Sequence, residues 1–561
     1  MIQLCARETF GNKVVPLAFN GIAAVNIGGD TISGAGQIHF PSTKDKNKSV
    51  DNETKLPPLR KRKNIEQLQE SLFPTGTVAL IVDEISTVSP VYLAALSERC
   101  QQATGNYEAE FGGLVVVLMG DFSQLSPVHG ACLPQSIVNI VEWDHDHEEQ
   151  ETRRANTSKM ATETQSRGQP NGQSPSVRYG TTSLFRRGCN ILRSCEWYKL
   201  TEQMRSKDKQ HDATLAKMER SEQLTLDDFE KYTELTENDL AGKDSLEWIR
   251  APILVATNRE RHNIIGPQCK RFATATGKYV FRWPVAQKEW EQKPHPGYLD
   301  EVMEDPCFYE WFVEGADGFI TDRINKSLRL VNGTRIRYHS FVPASAEQTE
   351  DILAQMAGSP PGSIIHLNEP PYAINVELVD ETTGDYVDAR SKNHWKHETL
   401  EKNKIIIPIL PERKREKYSS VVVRGGNGFL PSRVKVANRF PLETAFAITV
   451  HKAQGRTLKR VILALSDRQD GNFQMSYASL YVALSRVETS DDIRILLNGD
   501  SNGNRFDRSS MAYIADLEAS PSIVEFFHGF QQNHKIWNEQ DTLQMILKKR
   551  AKRRRPRHTR C

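Results

Sequence analysis

Carboxylate and amide side chains follow two short apolar runs in the first quarter of the chain. They are Asp83 and Glu84 after residues 78–82, and Asp121 and Gln124 after residues 114–119. Carboxylates suit the coordination shell of Mg²⁺ and can orient an attacking water, and an amide can contact a terminal phosphate. Either acidic end alone is explained more simply as a helix cap, but the two together favour a site for a magnesium-bound triphosphate.

The two apolar runs must place these side chains on one edge of a sheet. Both runs are rich in β-branched residues and are bounded by Gly, Pro or charge, which predicts strands buried on both faces of a parallel α/β sheet. Ligands of such sheets bind beyond the carboxyl ends of the strands. Neighbouring strands would therefore bring all four side chains to one rim.

Composition limits the class of protein. The chain has 561 residues, enough for several domains, and 73 Lys and Arg against 71 Asp and Glu, so net charge does not indicate the partner. Its eight cysteines form no C-x-x-C pair, which indicates a reducing compartment and argues against a zinc module or a disulfide framework. No apolar run approaches the roughly eighteen residues that span a bilayer, so no membrane partner is expected.

Three polar or basic stretches are predicted to lie outside the folded core. Residues 42–63 favour a solvated loop that could also contact phosphate. Residues 144–180 include clustered His and Glu that could hold a metal, although disorder is the preferred interpretation because nothing nearby would fix the ligands. Residues 548–560 predict a disordered basic arm for nuclear import, nucleic-acid contact or both.

The central part of the chain predicts a second α/β domain with a β-rich insertion. Residues 197–205 predict a strand that runs into a polar turn with Arg205, and residues 252–258 repeat the pattern of a buried strand with a polar end. Between 329 and 440, short alternating segments bounded by Pro, Gly or charge indicate a small antiparallel barrel.

Five segments resemble, in order and at compatible spacing, the motifs of the Pif-one family of DNA helicases, which includes the Helitron transposon helicases. The segments are ALIVDEIS (79–86), FGG (111–113), GDFSQLSPV (120–128), ITVHKAQGRTL (448–458) and YVALSR (481–486). The resemblance implies an α/β fold with two RecA-like P-loop NTPase domains, the first incomplete, and a small SH3-like β-barrel in the second. The implied boundaries are 1–183 for the first domain with a basic insert near 41–70, 184–328 and 441–500 for the second, 329–440 for the insertion, and 501–561 for an extension with a basic tail.

The resemblance implies ATP and Mg²⁺ as cofactors. Asp83 would bind the metal, Glu84 would orient the hydrolytic water and Gln124 would sense the γ-phosphate. Arg205 and Arg486 would reach the γ-phosphate from the second domain, because guanidinium groups grip phosphate oxygens and stay charged when desolvated. Asp121 and Gly455 complete the implied nucleotide-binding set. Taken alone, Arg486 could be a surface ion pair and Arg205 a helix-end charge.

The resemblance also implies residues that contact single-stranded DNA. They are Asn20, Gly21, Thr449, His451, Lys452 and Gln454. Asn20 stands where the family has Thr, Ser33 stands where it commonly has His, and His451 could instead be a core histidine. The implied activity is 5′-to-3′ unwinding of DNA and DNA junctions in repair, recombination or telomere maintenance. A monomer in the nucleus is expected, with the mitochondrion as the alternative.

The 561 residues contain no G-x-x-x-x-G-K-S/T phosphate loop. Residues 1–8 resemble the helix that follows such a loop, so we expect the first strand and the loop to be missing and this polypeptide to hydrolyse ATP poorly. Two hypotheses remain open. The chain is an ATP-dependent helicase that lacks its amino-terminal segment, or it is a degenerate transposon-derived protein that binds single-stranded nucleic acid without ATP turnover.

Overall fold

A computed structural model describes residues 8, 14–39, 56, 59, 61–74, 77–127, 132–160, 183–241, 245–291, 302–325, 330–379, 404–411, 419–423, 432–465, 474–497, 507–530 and 535–554. The chain divides into two compact units. Unit 1 comprises Met1–Glu202, Met218–Glu222 and Glu518–Cys561, and unit 2 comprises Gln203–Lys217 and Gln223–Leu517. Of the helix expected at residues 1–8, only Glu8 lies within the described part.

Unit 1 contains a parallel sheet. Its strands are β1 (Val14–Ala18), β2 (Asp30–Thr31), β3 (Ala79–Asp83) and β4 (Val115–Leu118), in the order β2-β1-β3-β4. The prediction for β3 is confirmed, because the first four residues of this strand are buried. The prediction for β4 is wrong in one respect: Val115 and Val117 are 58% and 37% exposed, so one face of this strand meets solvent. Among the described strands β4 is the last in the sheet, and a strand without a second neighbour need not be apolar on both faces.

The helices between Gly21 and Arg193 cover this sheet. They are α1 (Gly21–Asn26), α2 (Ile32–Ala35), α3 (Arg62–Leu72), α4 (Pro90–Thr104), α5 (Leu133–Met160) and α6 (Ser183–Arg193). Helix α4 begins after Ser89 with Pro90 as its first residue and is followed by Gly105 in a left-handed conformation, which are common start and stop signals of helices. Leu93, Leu96 and Cys100 of α4 are fully buried.

Two predictions of irregular structure are wrong in part. Helix α3 begins at Arg62, inside the region predicted to be a basic loop. Helix α5 continues to Met160, so residues 144–160 are helical where disorder was predicted, and residues 161–180 lie outside the described part. Tertiary ion pairing explains the difference, since Arg186 donates to Asp144 at 2.9 Å. The composition of a segment does not reveal which distant residues will pair with it.

Unit 2 begins with α7 (Lys209–Glu219), part of which belongs to unit 1, and contains the remaining strands. Its other helices are α8 (Glu237–Ala241), α9 (Ser245–Arg250), α10 (Asn258–Thr276), α11 (Ala346–Ala357), α12 (Val450–Ala453) and α13 (Tyr477–Leu484). Its strands are β5 (Thr233–Glu234), β6 (Ile253–Val255), β7 (Val280–Pro284), β8 (Ala286–Trp290), β9 (Tyr309–Val313), β10 (Asp317–Ile320), β11 (Arg335–Val342), β12 (Ile364–His366), β13 (Ala373–Leu378), β14 (Ile406–Ile409), β15 (Ser419–Val423), β16 (Ser432–Ala437), β17 (Leu442–Thr444), β18 (Ala447–Thr449), β19 (Val461–Ala464) and β20 (Ile493–Leu496).

A second parallel sheet has the order β18-β6-β19-β20-β5. Strand β6 confirms the buried strand predicted within residues 252–258, and all of its residues are buried. The strand predicted for residues 197–205 is not formed; these residues lie in no strand, and only Glu196 makes an isolated bridge, to Ile536. Tyr198, Leu200 and Met204 are exposed, so this apolar pattern reflects no buried strand.

The β-rich part of unit 2 is larger than the predicted insertion. A mixed set of three sheets has the orders β14-β13-β11-β10-β17, β12-β7-β9 and β15-β16-β8. Antiparallel pairing already occurs between β7 and β9, upstream of the predicted start at residue 329. The SH3-like character of this part and the exact domain boundaries stay predictions.

The chain returns to unit 1 through α14 (Pro521–His528) and α15 (Glu539–Arg554). Residues 548–554 are therefore helical, contrary to the disordered arm predicted for 548–560, and residues 555–561 lie outside the described part. Arg550 of α15 donates to Asp146 of α5 at 2.7 Å. This contact fixes the beginning of the basic segment on the body of unit 1.

Within the described residues no helix is long and apolar enough to cross a membrane. The six cysteines in this part are all free thiols. No group of three or more His, Cys, Asp or Glu there could hold a metal ion, which includes the His and Glu cluster of α5.

The buried carboxyl group of Glu310 makes the stability of unit 2 depend on pH. Trp283 Nε1 and the Phe440 amide donate to its two oxygens at 2.6 and 3.1 Å, but burial dominates and raises the pKa of Glu310 to about 7. The folded state then holds a proton that the unfolded state releases near its ordinary pKa. The stability contributed by the protonated form is complete below about pH 4.5 and is lost as pH rises through about 7.

We expect the free energy of unfolding to fall by about 3 kcal/mol across this pH window in the wild type. Urea unfolding at several pH values measures it. Glu310→Gln should remove most of this dependence, whereas Glu314→Gln, at an exposed ion pair with Lys278, should retain it. If the free energy of unfolding depended on pH in the same way in the wild type and in Glu310→Gln, Glu310 would not be the group responsible.

Candidate functional site

The carboxyl ends of β3 and β4 form the predicted rim in unit 1. The Met119 amide donates to Val82 O at 2.7 Å, and the Ile85 amide donates to Met119 O at 2.9 Å. Residues 83–84 and residues 119–120 are thus held side by side where the two strands end. The structure therefore brings the segments with Asp83, Glu84, Asp121 and Gln124 together, as the sequence predicts.

Glu84 has an unusual backbone conformation. Its φ and ψ angles are 56° and 45°, in the left-handed region that non-glycine residues adopt at a cost of roughly 1–2 kcal/mol. Its amide donates to Asp83 Oδ1 at 2.8 Å. Strained backbone of this kind concentrates at functional positions, which is consistent with a fixed direction for the Glu84 side chain.

Polar groups of the rim are suited to a cation and a phosphate. Burial raises the pKa of Asp83, and the bond from the Glu84 amide opposes that rise. Asp121 accepts from the Ser123 amide at 2.8 Å and from Gln124 Nε2 at 3.5 Å. Gln124 Oε1 is buried and has no hydrogen-bond partner among the described residues. A hydrated Mg²⁺ would satisfy both groups, because the cation offsets the desolvation of the carboxylate and its bound water can donate to the amide oxygen.

Gly120 allows the two strand ends to approach each other. A Cβ at this position would lie 2.9 Å from both the nitrogen and Cγ2 of Ile85. We therefore expect Gly120→Ala to lower the free energy of unfolding of unit 1 by about 2–4 kcal/mol, because backbone atoms must move.

Gly105→Ala is the matched control for Gly120→Ala. Gly105 has a φ of 75°, yet a Cβ there would meet nothing within 4 Å, so only the conformational cost of about 1 kcal/mol applies. Chemical unfolding monitored in unit 1 compares the two variants. If the two variants lost the same free energy of unfolding, the close approach of the strand ends at Gly120 would not be important for the stability of the rim.

Asn20 and Gly21, the predicted DNA contacts of unit 1, lie at the start of α1. Asn20 Oδ1 accepts from the Ala23 amide at 2.8 Å, so Asn20 caps this helix with the same geometry that Thr could provide. The replacement of Thr by Asn is thus compatible with the local fold. These residues lie after β1, where α1 begins, and the rim lies at the ends of β3 and β4.

Arg205 contacts the residue that precedes Arg486, and both arginines belong to unit 2. Arg205 Nη1 donates to Ser485 O at 2.6 Å. Arg486 is 2% exposed, and its guanidinium donates to Val482 O, Arg456 O and Ser485 Oγ at 2.9, 3.2 and 2.8 Å. The surface ion pair considered for Arg486 is therefore wrong, because the side chain is buried and bonds to carbonyls and a hydroxyl.

The segment 449–455 begins at the end of β18, includes α12 and leads towards β19, which lies in the same parallel sheet of unit 2. Thr449 and Gln454 are buried, whereas His451 is exposed, so a core position for His451 is wrong. Gly455 has a φ of 77°, as the expected role of close backbone approach requires. Lys452 Nζ lies 2.5 Å from both carboxylate oxygens of Glu443.

Sequence reasoning missed three partners of these residues. Glu443 binds Lys452 and also Arg261, whose Nη1 lies 3.0 Å away. Arg456 lies over the Phe319 ring at 4.1 Å and donates to Gly333 O at 2.7 Å, which ties the motif to the turn at Asn332-Gly333-Thr334. The third is Asp208, which binds Ser490. No local signal reveals these pairs, since the strand pairings that create them link distant parts of the chain.

A comparison with known protein families finds a match for the part of the chain that contains the rim. Residues 4–165 match the family model described as PIF1-like helicase. These residues are similar to the PIF1-like helicases, and we call them the PIF1-like region. The PIF1-like region includes β1 to β4 and the whole of the rim, so the resemblance to this family is confirmed.

One curated relative extends the similarity beyond the PIF1-like region. The ATP-dependent DNA helicase PIF6 of Trypanosoma brucei brucei is 23% identical over 418 residues, which cover 74% of this chain and 40% of that protein. The chain thus corresponds to less than half of that relative's length.

Solved structures show the same fold. The crystal structure of Bacteroides Pif1 bound to single-stranded DNA has a TM-score of 0.52 at 16% identity and covers 96% of this chain and 92% of that chain. Pif1 helicase from Bacteroides in complex with ADP-AlF3 and single-stranded DNA gives a TM-score of 0.51 at 16% identity, with coverage of 96% and 92%. The predicted α/β fold with RecA-like domains is confirmed.

Proposed function

We propose that the chain is the motor part of an ATP-dependent DNA helicase. The observation that carries the proposal is the pair of neighbouring parallel strands that end in Asp83 and Glu84 and lead into Gln124, whose buried Oε1 has no partner in the described part of the chain. Such a rim supplies a metal ligand, a water-orienting base and an amide, all on one edge of a sheet. The amide oxygen can accept from a metal-bound or attacking water, and the amide NH2 group can donate to a phosphate oxygen. The relatives named ATP-dependent DNA helicase and crystallised with ADP-AlF3 support it.

Each residue of the site has a role in this proposal. Asp83 holds Mg²⁺, which supplies charge neutralisation at the phosphates when it is bound. Glu84 orients the attacking water and Gln124 contacts the γ-phosphate, while Asp121 fixes the Gln124 amide. Arg205 and Arg486 stabilise the charge that develops during phosphoryl transfer, and Gly455 lets the backbone approach the nucleotide.

Single-stranded DNA is the proposed track, with 5′-to-3′ movement and action at junctions during repair, recombination or telomere maintenance. Thr449, His451, Lys452 and Gln454 of unit 2, with Asn20 and Gly21 of unit 1, are the proposed contacts. Two structural relatives were crystallised with single-stranded DNA, which supports this class of partner.

A second candidate function is single-strand binding without ATP turnover. The buried position of Arg486 favours it, because the guanidinium already bonds to three groups of its own unit. A transition-state role would require those bonds to be exchanged for phosphate oxygens.

The two candidates are separated by supplying a phosphate loop. We compare the 561-residue chain with the same chain fused behind the strand, phosphate loop and helix of the Bacteroides Pif1 helicase. The helicase proposal predicts that both proteins bind single-stranded DNA and that the fusion hydrolyses ATP at least about tenfold faster with DNA than without it. Binding without ATP hydrolysis by the fusion would favour the second candidate, and the absence of DNA binding would contradict both.

Release of Lys452 from Glu443 is expected to strengthen DNA binding. Glu443 is buried and holds both Lys452 and Arg261, so phosphate must compete with a carboxylate for Lys452. Glu443→Gln should raise single-strand affinity about threefold to tenfold at low salt and steepen the salt dependence by about one unit.

Fluorescence anisotropy with oligo(dT) across a salt series measures this effect. Glu314→Gln, which removes the carboxylate from a surface pair with Lys278, is the matched control and should change neither quantity. A fall in affinity on Glu443→Gln would show that Glu443 orients Lys452 and does not compete for it.

A further inference from the structure

The segment with Arg205 runs along the segment that follows Arg486. In addition to the bond from Arg205 to Ser485 O at 2.6 Å, the Lys207 amide donates to Glu488 O at 3.0 Å. The Lys207 ammonium also pairs with the Glu488 carboxylate. Two residues of one segment, Arg205 and Lys207, thus make three contacts with the other, and both segments lie in unit 2.

Asp208 closes this pairing with both of its carboxylate oxygens. Oδ2 accepts from the Ser490 amide at 3.1 Å and from the Ser490 hydroxyl. Oδ1 accepts from the amides of Gln210 and His211 at 2.9 and 3.2 Å and so caps α7. One side chain therefore joins the start of a helix to the segment beyond Arg486.

The ion pair between Lys207 and Glu488 is weaker than the link through Asp208. The side chains of Lys207 and Glu488 are 72% and 45% exposed, and exposed ion pairs contribute little because water screens them. The Ser490 hydroxyl and the surrounding amides lower the pKa of Asp208 to about 2, so the carboxylate stays charged in ordinary buffers. Hydrogen bonds to a charged acceptor are stronger than neutral ones.

We propose that Asp208 is a positioning residue that holds the Arg205 segment on the Arg486 segment, so that the two arginines keep one relative geometry. This inference deepens the proposed function, because the geometry matters for catalysis only if both arginines act on phosphate. The physical link itself exists without any nucleotide. Its presence and its catalytic effect are therefore tested separately.

Hydrogen exchange tests the link in the complete 561-residue chain. Asn has only one side-chain oxygen. In Asp208→Asn this oxygen can accept either at the α7 cap or from Ser490, and the amide NH2 group then faces donors at the other position. We expect exchange in peptides covering residues 204–208 and 486–491 to be about tenfold faster in Asp208→Asn, and to change by a smaller factor in Ser490→Ala, which keeps the backbone bond.

Asp228→Asn is the matched control. Asp228 also accepts from a threonine, Thr225, at a capping box and binds Lys217, but it contacts neither arginine segment. Asp228→Asn should leave the hydrogen exchange rates of both peptides unchanged. Thermal unfolding should show that all variants fold. Unchanged exchange of either peptide in Asp208→Asn would overturn the proposal.

The catalytic consequence is measured in the phosphate-loop fusion. Asp208→Asn should lower kcat about tenfold with KM for ATP changed less than about twofold, and should cause no further loss in an Arg205→Ala background. A loss that is equal in both backgrounds would overturn the positioning role. If the unsubstituted fusion shows no turnover, the proposed function fails, and the exchange experiment still decides whether Asp208 joins the two segments.

Discussion

Glu84→Gln is expected to lower DNA-stimulated ATP turnover by about a thousandfold while single-strand affinity stays within about twofold. Glu84 follows β3 in a left-handed conformation, held beside Asp83 by the bond from its own amide. Gln has the same shape, so neither the strain nor the packing changes. Only the ability to accept a proton from water and to orient it by charge is lost.

This effect is measured in the phosphate-loop fusion by coupled ATP assay, and binding is measured by anisotropy on the same preparation. Glu108→Gln, in an exposed turn of the same unit, is the control and should retain full turnover. Turnover that survives Glu84→Gln would show that the water-orienting base is another residue.

Arg486→Lys is expected to lower the free energy of unfolding of unit 2 by about 2–4 kcal/mol. The guanidinium satisfies Val482 O, Arg456 O and Ser485 Oγ from a buried position, and an ammonium cannot reach all three with the same geometry. The loss should be visible in urea unfolding without nucleotide.

Arg205→Lys is the comparison for this prediction, because Arg205 is only half-buried and its guanidinium donates to a carbonyl, Ser485 O, that an ammonium can also reach. It should change the free energy of unfolding by less than about 1 kcal/mol. If Arg486→Lys is as stable as the wild type, the buried bonds of Arg486 contribute little and the side chain is available for phosphate.

Features that depend on local pattern could be predicted from the sequence. The β3 strand follows from a continuous apolar run, and α4 follows from Ser89, Pro90 and Gly105 at its ends. The rim follows from the rule that parallel strands end on one edge, and the register between β3 and β4 confirms it.

Features that depend on distant partners could not be predicted. Residues 144–160 have the composition of a disordered segment, yet ion pairs such as Asp144 with Arg186 attach them to the fold. The apolar residues of 197–204 form no strand because no neighbouring strand pairs with them in the described part. The burial of Arg486 and the ion pair between Lys452 and Glu443 likewise have no local signal, because both depend on how separate elements of unit 2 pack together.

Unwinding of a partial duplex tests the central claim most directly. The phosphate-loop fusion is mixed with a fluorescent duplex that carries either a 5′ or a 3′ single-stranded tail, with and without ATP. The proposed motor predicts strand separation that requires ATP, prefers the 5′ tail and is absent in Glu84→Gln. Strand separation that is no greater with ATP than without it, in a preparation that binds the tailed DNA, would contradict the proposal.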